Sequence, residues 1–303
     1  MNRSGAVDQG ERPTGGGVLY VVATPIGNLS DVTLRALQVL GDVPLIAAED
    51  TRLTKRLLDR HGLTARLTSF HAKSGPGRLA TLLDHLRSGS DLALVTDAGT
   101  PAVSDPGEDL VSAWSDEGGR VVPIPGASAV LAAVTASGLA GPRWSFEGFL
   151  PRSGRARRDH LERIAADTRG CVLFEAPNRV AGTLDDLAAA CGPERSGAVC
   201  RELTKIHEQI VRAPLRDLAA ATADGTIPSR GEIVIVVGGI KGGSPGAALS
   251  RPPGDAASDT EQLSSALEAV ERLVAAGTAR GEAARRVAAE TGIPRRRLYR
   301  AQG

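Results

Sequence analysis

Asp91-Leu92-Ala93-Leu94-Val95-Thr96-Asp97-Ala98-Gly99-Thr100-Pro101-Ala102-Val103-Ser104-Asp105-Pro106-Gly107-Glu108 runs from an apolar segment, through small and polar residues, into a helix start. Residues 91–95 read as a buried strand. Asp105, Pro106 and Glu108 have the spacing of a capping box, with cap, first-turn proline and third-position glutamate. Leu110, Val111 and Trp114 then form a buried helical face. The same alternation extends both ways. Residues 18–23, 44–48 and 120–123 are strand-like, and Asp31 precedes Leu34, Leu37 and Leu40 in a helix that Gly41 closes. Strands separated by helices of this length need crossover connections, which implies a parallel sheet and an α/β domain over residues 18–140.

Gly141-Pro142 marks a break, after which a second α/β segment spans 141–240. Helices are expected at 155–166 and 180–190, with strands at 171–174, 198–201, 207–211 and 232–237. The last strand is almost wholly apolar, as a strand buried on both faces must be. Residues 1–17 read as a polar leader and 241–260 as a linker rich in Gly, Pro, Ala and Ser. From 261 to 303 the chain is helical. Leu263, Leu267, Val270 and Val274 recur at helical spacing. Ala284 and Ala288 lead to Gly292-Ile293 and the basic run Arg295, Arg296, Arg297 and Arg300. That pattern suits a helix-turn-helix and equally a helical hairpin that caps the body or pairs subunits.

Composition narrows the function. Of 303 residues 42% are apolar, enough for a substantial core, and Lys plus Arg number 36 against 35 for Asp plus Glu. A net charge of +1 excludes a strongly basic nucleic-acid coat but not a local patch. Cys171, Cys191 and Cys200 are too few and too scattered for a disulfide framework or a CxxC metal site, so no metal is expected. No apolar signal region or membrane span is visible, which points to a cytoplasmic protein.

The chemistry gathers at strand ends, where open α/β sheets bind ligands. Thr24-Pro25-Ile26-Gly27-Asn28-Leu29 follows the first strand and is either a ligand loop or a strand-to-helix turn. The loop from Thr96 to Gly107 is longer than any turn requires. It offers carboxylates and hydroxyls to an amine and a ribose, and backbone N–H groups to a carboxylate. Pro125-Gly126-Ala127-Ser128 ends the strand at 120–123 with residues small enough to admit a flat ring. Neither GxGxxG after a strand nor GxxxxGK[ST] occurs, so a dinucleotide fingerprint and a phosphate-binding P-loop are absent. Three small-residue loops at three strand ends make one crevice for a small molecule.

Together with Ala48-Glu49-Asp50-Thr51-Arg52, Phe174-Glu175-Ala176-Pro177-Asn178-Arg179 and Arg201-Glu202-Leu203-Thr204-Lys205, these segments resemble the tetrapyrrole methylase superfamily. Within it they are similar to the branch that 2′-O-methylates a cytidine of 16S ribosomal RNA. The resemblance covers about residues 18–239 and implies two α/β domains with S-adenosyl-L-methionine in the cleft between them. It implies cofactor-binding roles for Thr24, Pro25 and Gly27; for Asp97, Ala98, Gly99, Thr100, Ser104 and Asp105; and for Gly126 and Ser128. Phe174 and Ala176 would close over the cofactor from the second domain. It also implies a homodimer acting on the decoding region of the small ribosomal subunit. Ser69-Phe70-His71-Ala72-Lys73-Ser74 departs from a family stretch richer in His, Asn and Glu.

A ribose hydroxyl is a weak acid, so its methylation benefits from a general base. Glu49 and Asp50 are the candidates, although Asp50 followed by Arg52 also reads as a plain helix start. Glu202 and Lys205 are a second group, equally an ion pair. Arg152, Arg155, Arg157 and Arg158 form the densest internal basic run, suited to RNA phosphates or simply the solvated start of a helix. Two other functions share features of this sequence: tetrapyrrole C-methylation, and nucleic-acid binding by the tail alone.

Overall fold

The parallel sheet expected from the first segment is present and includes β1 (Val18–Val22). Its order is β3 (Leu67–Ser69), β2 (Leu45–Ala48), β4 (Leu92–Val95), β1, β5 (Arg120–Ile124), and every pairing is parallel. The computed structural model describes residues 16–240, 256–291 and 298. Two compact units divide the chain, Met1–Gly243 and Ser244–Gly303, and both sheets lie in the first.

Strand alternation distributes side chains to two cores. Ala93 and Val95 join Val22 and Ile46 beneath α1 (Leu34–Asp42) and α2 (Thr51–Arg60). Leu92 and Leu94 point the other way, against Leu82, Leu86, Leu110 and Trp114 of α3 (Pro76–Arg87) and α4 (Glu108–Asp116). Two local readings change. Thr33 rather than Asp31 caps α1, accepting from Ala36 N at 3.1 Å, and the helix runs past Gly41 to Asp42. The cap of α4 is Gly107 at φ 125°, with no side-chain bond, so Asp105 is not a capping residue.

The second sheet is mixed, in the order β6 (Trp144–Phe149), β7 (Gly170–Glu175), β10 (Ile233–Val237), β8 (Ser196–Arg201), β9 (Gln209–Pro214). Only β6–β7 is parallel. One face packs on α6 (Gly154–Ala166), α7 (Val180–Cys191) and α8 (Leu215–Ala223). The other face receives α5 (Ala129–Ser137), which follows β5 of the first sheet, so α5 and Ile26 of the first segment share an apolar cluster with the second sheet. Cys171 and Cys200 are buried, and burial pushes their thiols up to about 12 and about 11, which leaves them inert.

In the second unit α9 (Ala256–Ala275) begins inside the stretch read as linker. It meets α10 (Arg280–Thr291) through a turn at Gly277, where φ is 92°. Ala266 and Val270 pack on Ala283, Ala284 and Val287, the close approach that small residues permit. The turn expected at Gly292 and the basic run Arg295, Arg296, Arg297 and Arg300 lie outside the described residues. Among the described residues no helix is long and apolar enough to cross a membrane.

Ile235 of β10 is fully buried, so Ile235→Ala leaves a cavity in the second core. Its expected cost is about 2–5 kcal/mol, read as a lower urea midpoint at unchanged slope.

Candidate active site

The loops after the parallel strands converge because all five strands point the same way. Thr24 and Gly99 are zipped together by two backbone bonds, Thr24 N to Gly99 O at 2.8 Å and Gly99 N to Thr24 O at 3.0 Å. The Thr24 hydroxyl donates to Thr96 O at 3.0 Å and ties the first loop to the base of the second. From the second sheet comes the loop after β8. The Thr204 hydroxyl accepts from Asn28 N at 3.1 Å, and a Cβ on Gly27 would stand 2.4 Å from Lys205 Cγ. Gly27 is thus required by the close approach of the two domains. Lys205 reaches both Glu202 (2.9 Å) and Glu232 (3.1 Å) and fastens its own loop.

Backbone strain concentrates here. Ala102, Ser104, Glu202 and Thr204 are the non-glycine residues at positive φ among the described residues, and all four lie on loops bordering this cleft. Left-handed conformations are costly for side-chain-bearing residues and persist where surrounding contacts enforce them.

Between the sheets lies a cavity of about 410 Å³, within the range of small-molecule sites. Ala98, Gly99, Thr100, Ser104, Asp105, Ser128, Phe174 and Ala176, all expected at the cofactor, line it. Thr24, Pro25, Gly27 and Asp97 line a neighbouring hollow of about 480 Å³ instead. Gly126 faces neither and packs on Ala23, 3.1 Å from a virtual Cβ. Ser128 also caps α5, accepting from Leu131 N at 3.4 Å. Phe149, Gly231 and Glu232 also line it without having been singled out in the sequence. Phe149 is 54% exposed and tilts against Phe174, with ring centroids 5.6 Å apart. A sequence signal existed in Gly148, which sits at a register shift of β6 with φ 61° and turns the strand toward Ser104.

Acid groups crowd the floor. Asp97 N donates to Glu49 Oε2 at 3.3 Å, and Asp50 N donates to Asp97 Oδ1 at 2.9 Å. Burial pushes the Glu49 and Asp97 carboxyls above their ordinary values. Asp105 is pushed up to about 6 by burial and then by the negative charge of Glu49. Asp50 behaves oppositely. It caps α2 through Arg52 N at 2.8 Å and pairs with the Arg52 guanidinium, which holds it down at about 2. The structure therefore gives Asp50 a capping role and places neither Glu49 nor Asp50 on the apolar cavity.

The arginine run divides in the same manner. Arg157 turns inward, donating to Asp186 (2.8 Å), Pro151 O (3.0 Å) and Thr183 Oγ1 (2.9 Å), and so locks α6 to α7. Arg152 and Arg158 are exposed, and Arg155 meets only Asp159 at 3.5 Å, so three of the four remain available to an anion. Glu175 of the Phe174–Arg179 motif is buried and holds its loop, taking bonds from Ala176 N and Thr183 Oγ1.

A family model for tetrapyrrole (corrin/porphyrin) methylases matches residues 18–219. The chain belongs to that family. A ribosomal RNA small subunit methyltransferase I from Synechocystis is 44% identical over 93% of this methylase and 96% of its own length. The protein of the same name from Halalkalibacterium halodurans is 39% identical over 93% of each chain. Among solved structures, a cobalt precorrin-4 methyltransferase shares the fold at a TM-score of 0.57, with 20% identity over 73% of this chain and 94% of its own. Uroporphyrin-III C-methyltransferase from Thermus thermophilus, complexed with S-adenosyl homocysteine, gives 0.53, with 20% identity over 73% and 97%.

Two outcomes follow from this geometry. Arg157→Ala should cost about 1–3 kcal/mol in urea unfolding, since it removes three hydrogen bonds made by a guanidinium that is itself only 12% exposed, while Arg155→Ala stays within about 0.5 kcal/mol. Asp105 favours its protonated form when folded, so the stability it contributes is present below pH 4 and lost as pH rises through about 6. Asp105→Asn should accordingly be more stable than the parent at pH 8 by about 1–2 kcal/mol, after discounting for solvent screening, with the gap closing near pH 3.5.

Proposed function

We propose that this methylase transfers a methyl group from S-adenosyl-L-methionine to the ribose 2′-oxygen of a cytidine in 16S ribosomal RNA. The observation that carries the reading is the 44% identity to a ribosomal RNA small subunit methyltransferase along nearly the whole of both chains. The cleft supports it on chemical grounds. Ile26, Val103, Val130 and Phe174 supply apolar walls for a flat base, and Thr100 and Ser104 supply hydroxyls for a sugar. The acidic group at Asp97 suits an ammonium. The residue chemistry fits the cofactor, which supplies a methyl group already activated on sulfur.

The protein's own task is then alignment and proton removal. Loops held by the two sheets would orient the acceptor oxygen toward the methyl donor, and good orientation contributes about 7–11 kcal/mol in well-oriented systems. Arg152, just before α6, and Arg155 and Arg158 on its exposed side hold RNA phosphates. On the same reading the protein acts in the cytoplasm as a homodimer, with the segment from 261 serving RNA or subunit contacts. The exposed Leu34 and Ile206 offer apolar surface for such pairing.

Mass mapping of small-subunit RNA from cells with and without the chain tests the reaction, and loss of one cytidine ribose methyl is the expected result. An unchanged methylation map overturns it. Replacing Arg152, Arg155 and Arg158 with alanine should weaken RNA binding and flatten its salt dependence by about 2 in log–log slope. Calorimetric affinity for S-adenosyl homocysteine should stay unchanged.

A further inference from the structure

Beside the apolar cavity, on the β3 side of the first sheet, lies a separate polar hollow of about 450 Å³. His71, Ser74, Asp109 and Ser112 wall it. One carboxylate lines both spaces, that of Asp105. A methyl transfer needs its proton acceptor at such a boundary, where donor and acceptor pockets meet. We propose that Asp105 is the general base of the transfer and that the polar hollow admits the acceptor ribose. This rests on the methyltransferase reading above and adds to it the base and the acceptor side.

The other carboxylates are engaged elsewhere. Of those lining the apolar cavity, Glu175 is bonded by Thr183 and Ala176 N and lies 3.4 Å from the Arg179 guanidinium, while Glu232 pairs with Lys205. Asp50 is tied to Arg52, and Glu49 accepts from Asp97 N. Asp105 alone among these lining carboxylates has no cationic partner. Ser104 at φ 61° and Gly107 at φ 125° bracket it, so strained backbone sets its direction. A second observation marks the spot. The Thr96 hydroxyl is buried without a well-aligned hydrogen-bond partner, and it faces Asp105 closely enough to offset part of the rise in its pKa.

In the step, the ribose O–H bond breaks and its proton passes to the Asp105 carboxylate. The oxygen forms the new bond to the methyl carbon, the carbon–sulfur pair stays on sulfur as a neutral thioether, and Asp105 later returns its proton to water. A base titrating near 6 is ionised at neutral pH yet more basic than an ordinary aspartate. Glu49 and Asp97 on the floor, Glu175 and Glu232 across the cavity, and His71, Glu108 and Asp109 around the hollow are the charged or titratable groups that face it.

The test uses the full chain with small ribosomal subunits as acceptor and cofactor at saturation. Asp105→Asn should keep its calorimetric affinity for S-adenosyl homocysteine within about threefold, lose about 10²–10⁴-fold in single-turnover methyl transfer, and lose the rise in rate through pH 6. Ser112→Trp, which fills the hollow, should raise KM for the subunit at least tenfold with cofactor affinity unchanged. Transfer within tenfold of the parent, a retained pH 6 limb, or loss of cofactor binding in Asp105→Asn overturns the assignment of the base. An unaltered KM in Ser112→Trp overturns the acceptor site. A parent protein that methylates no ribosomal RNA fails the broader reading instead, and the controls separate the two.

Discussion

The packing of α5 on the second sheet, directly after the last strand of the first, is the constraint on which the rest depends. Ala129-Val130-Leu131-Ala132-Ala133-Val134-Thr135-Ala136-Ser137 buries Val130, Ala133 and Ser137 on one face and leaves Leu131, Thr135 and Ala136 to solvent on the other. It leaves β5 of the first sheet, and its Val130 and Ala133 pack with Ala198, Cys200, Val234 and Val236 of the second. Its far end is held as well. Gly138 takes a left-handed cap, and Arg212 donates to Ser137 O at 2.7 Å. Since α5 starts at Ser128, on the lip of the cavity, the packing that joins the domains also sets the spacing of the loops that line it.

Around that rigid joint the molecule tolerates local cost. Four strained residues and three carboxylates with raised pKa lie on the loops at the strand ends, whereas the cores beneath them are aliphatic layers. Strain and unpaired acid both weaken folding, and their concentration at one cleft is how a site stays reactive while the body stays stable. Gly27 and Gly148 serve the same end by removing side chains where the two domains nearly touch.

Much of the fold was legible because buried strands announce themselves. The runs at 18–22, 92–95 and 233–237 are apolar over their full length, and the crossover helices between the early ones demand parallel pairing. The edge strands β3 and β6 escaped notice because half-buried strands carry no such run, only residues such as Leu67-Thr68-Ser69. The small-residue loops at the strand ends could be located from composition, the cofactor role proposed for them came from the family resemblance, and residues from several of them share one cavity.

What the sequence determined alone was the order of elements, the parallel sheet and the identity of the segments at the strand ends, since hydrophobic period and turn chemistry are local properties. What only the tertiary structure decided was the duty of each charged residue. Asp50 and Asp105 are both aspartates at cap-like positions, yet one is spent on Arg52 and the other is left facing two pockets. Arg155 and Arg157 sit two apart on one helix, but Asp186, distant in sequence, claims only the second. A charge takes its role from the partners and water around it, and those are set by contacts between residues far apart in the chain.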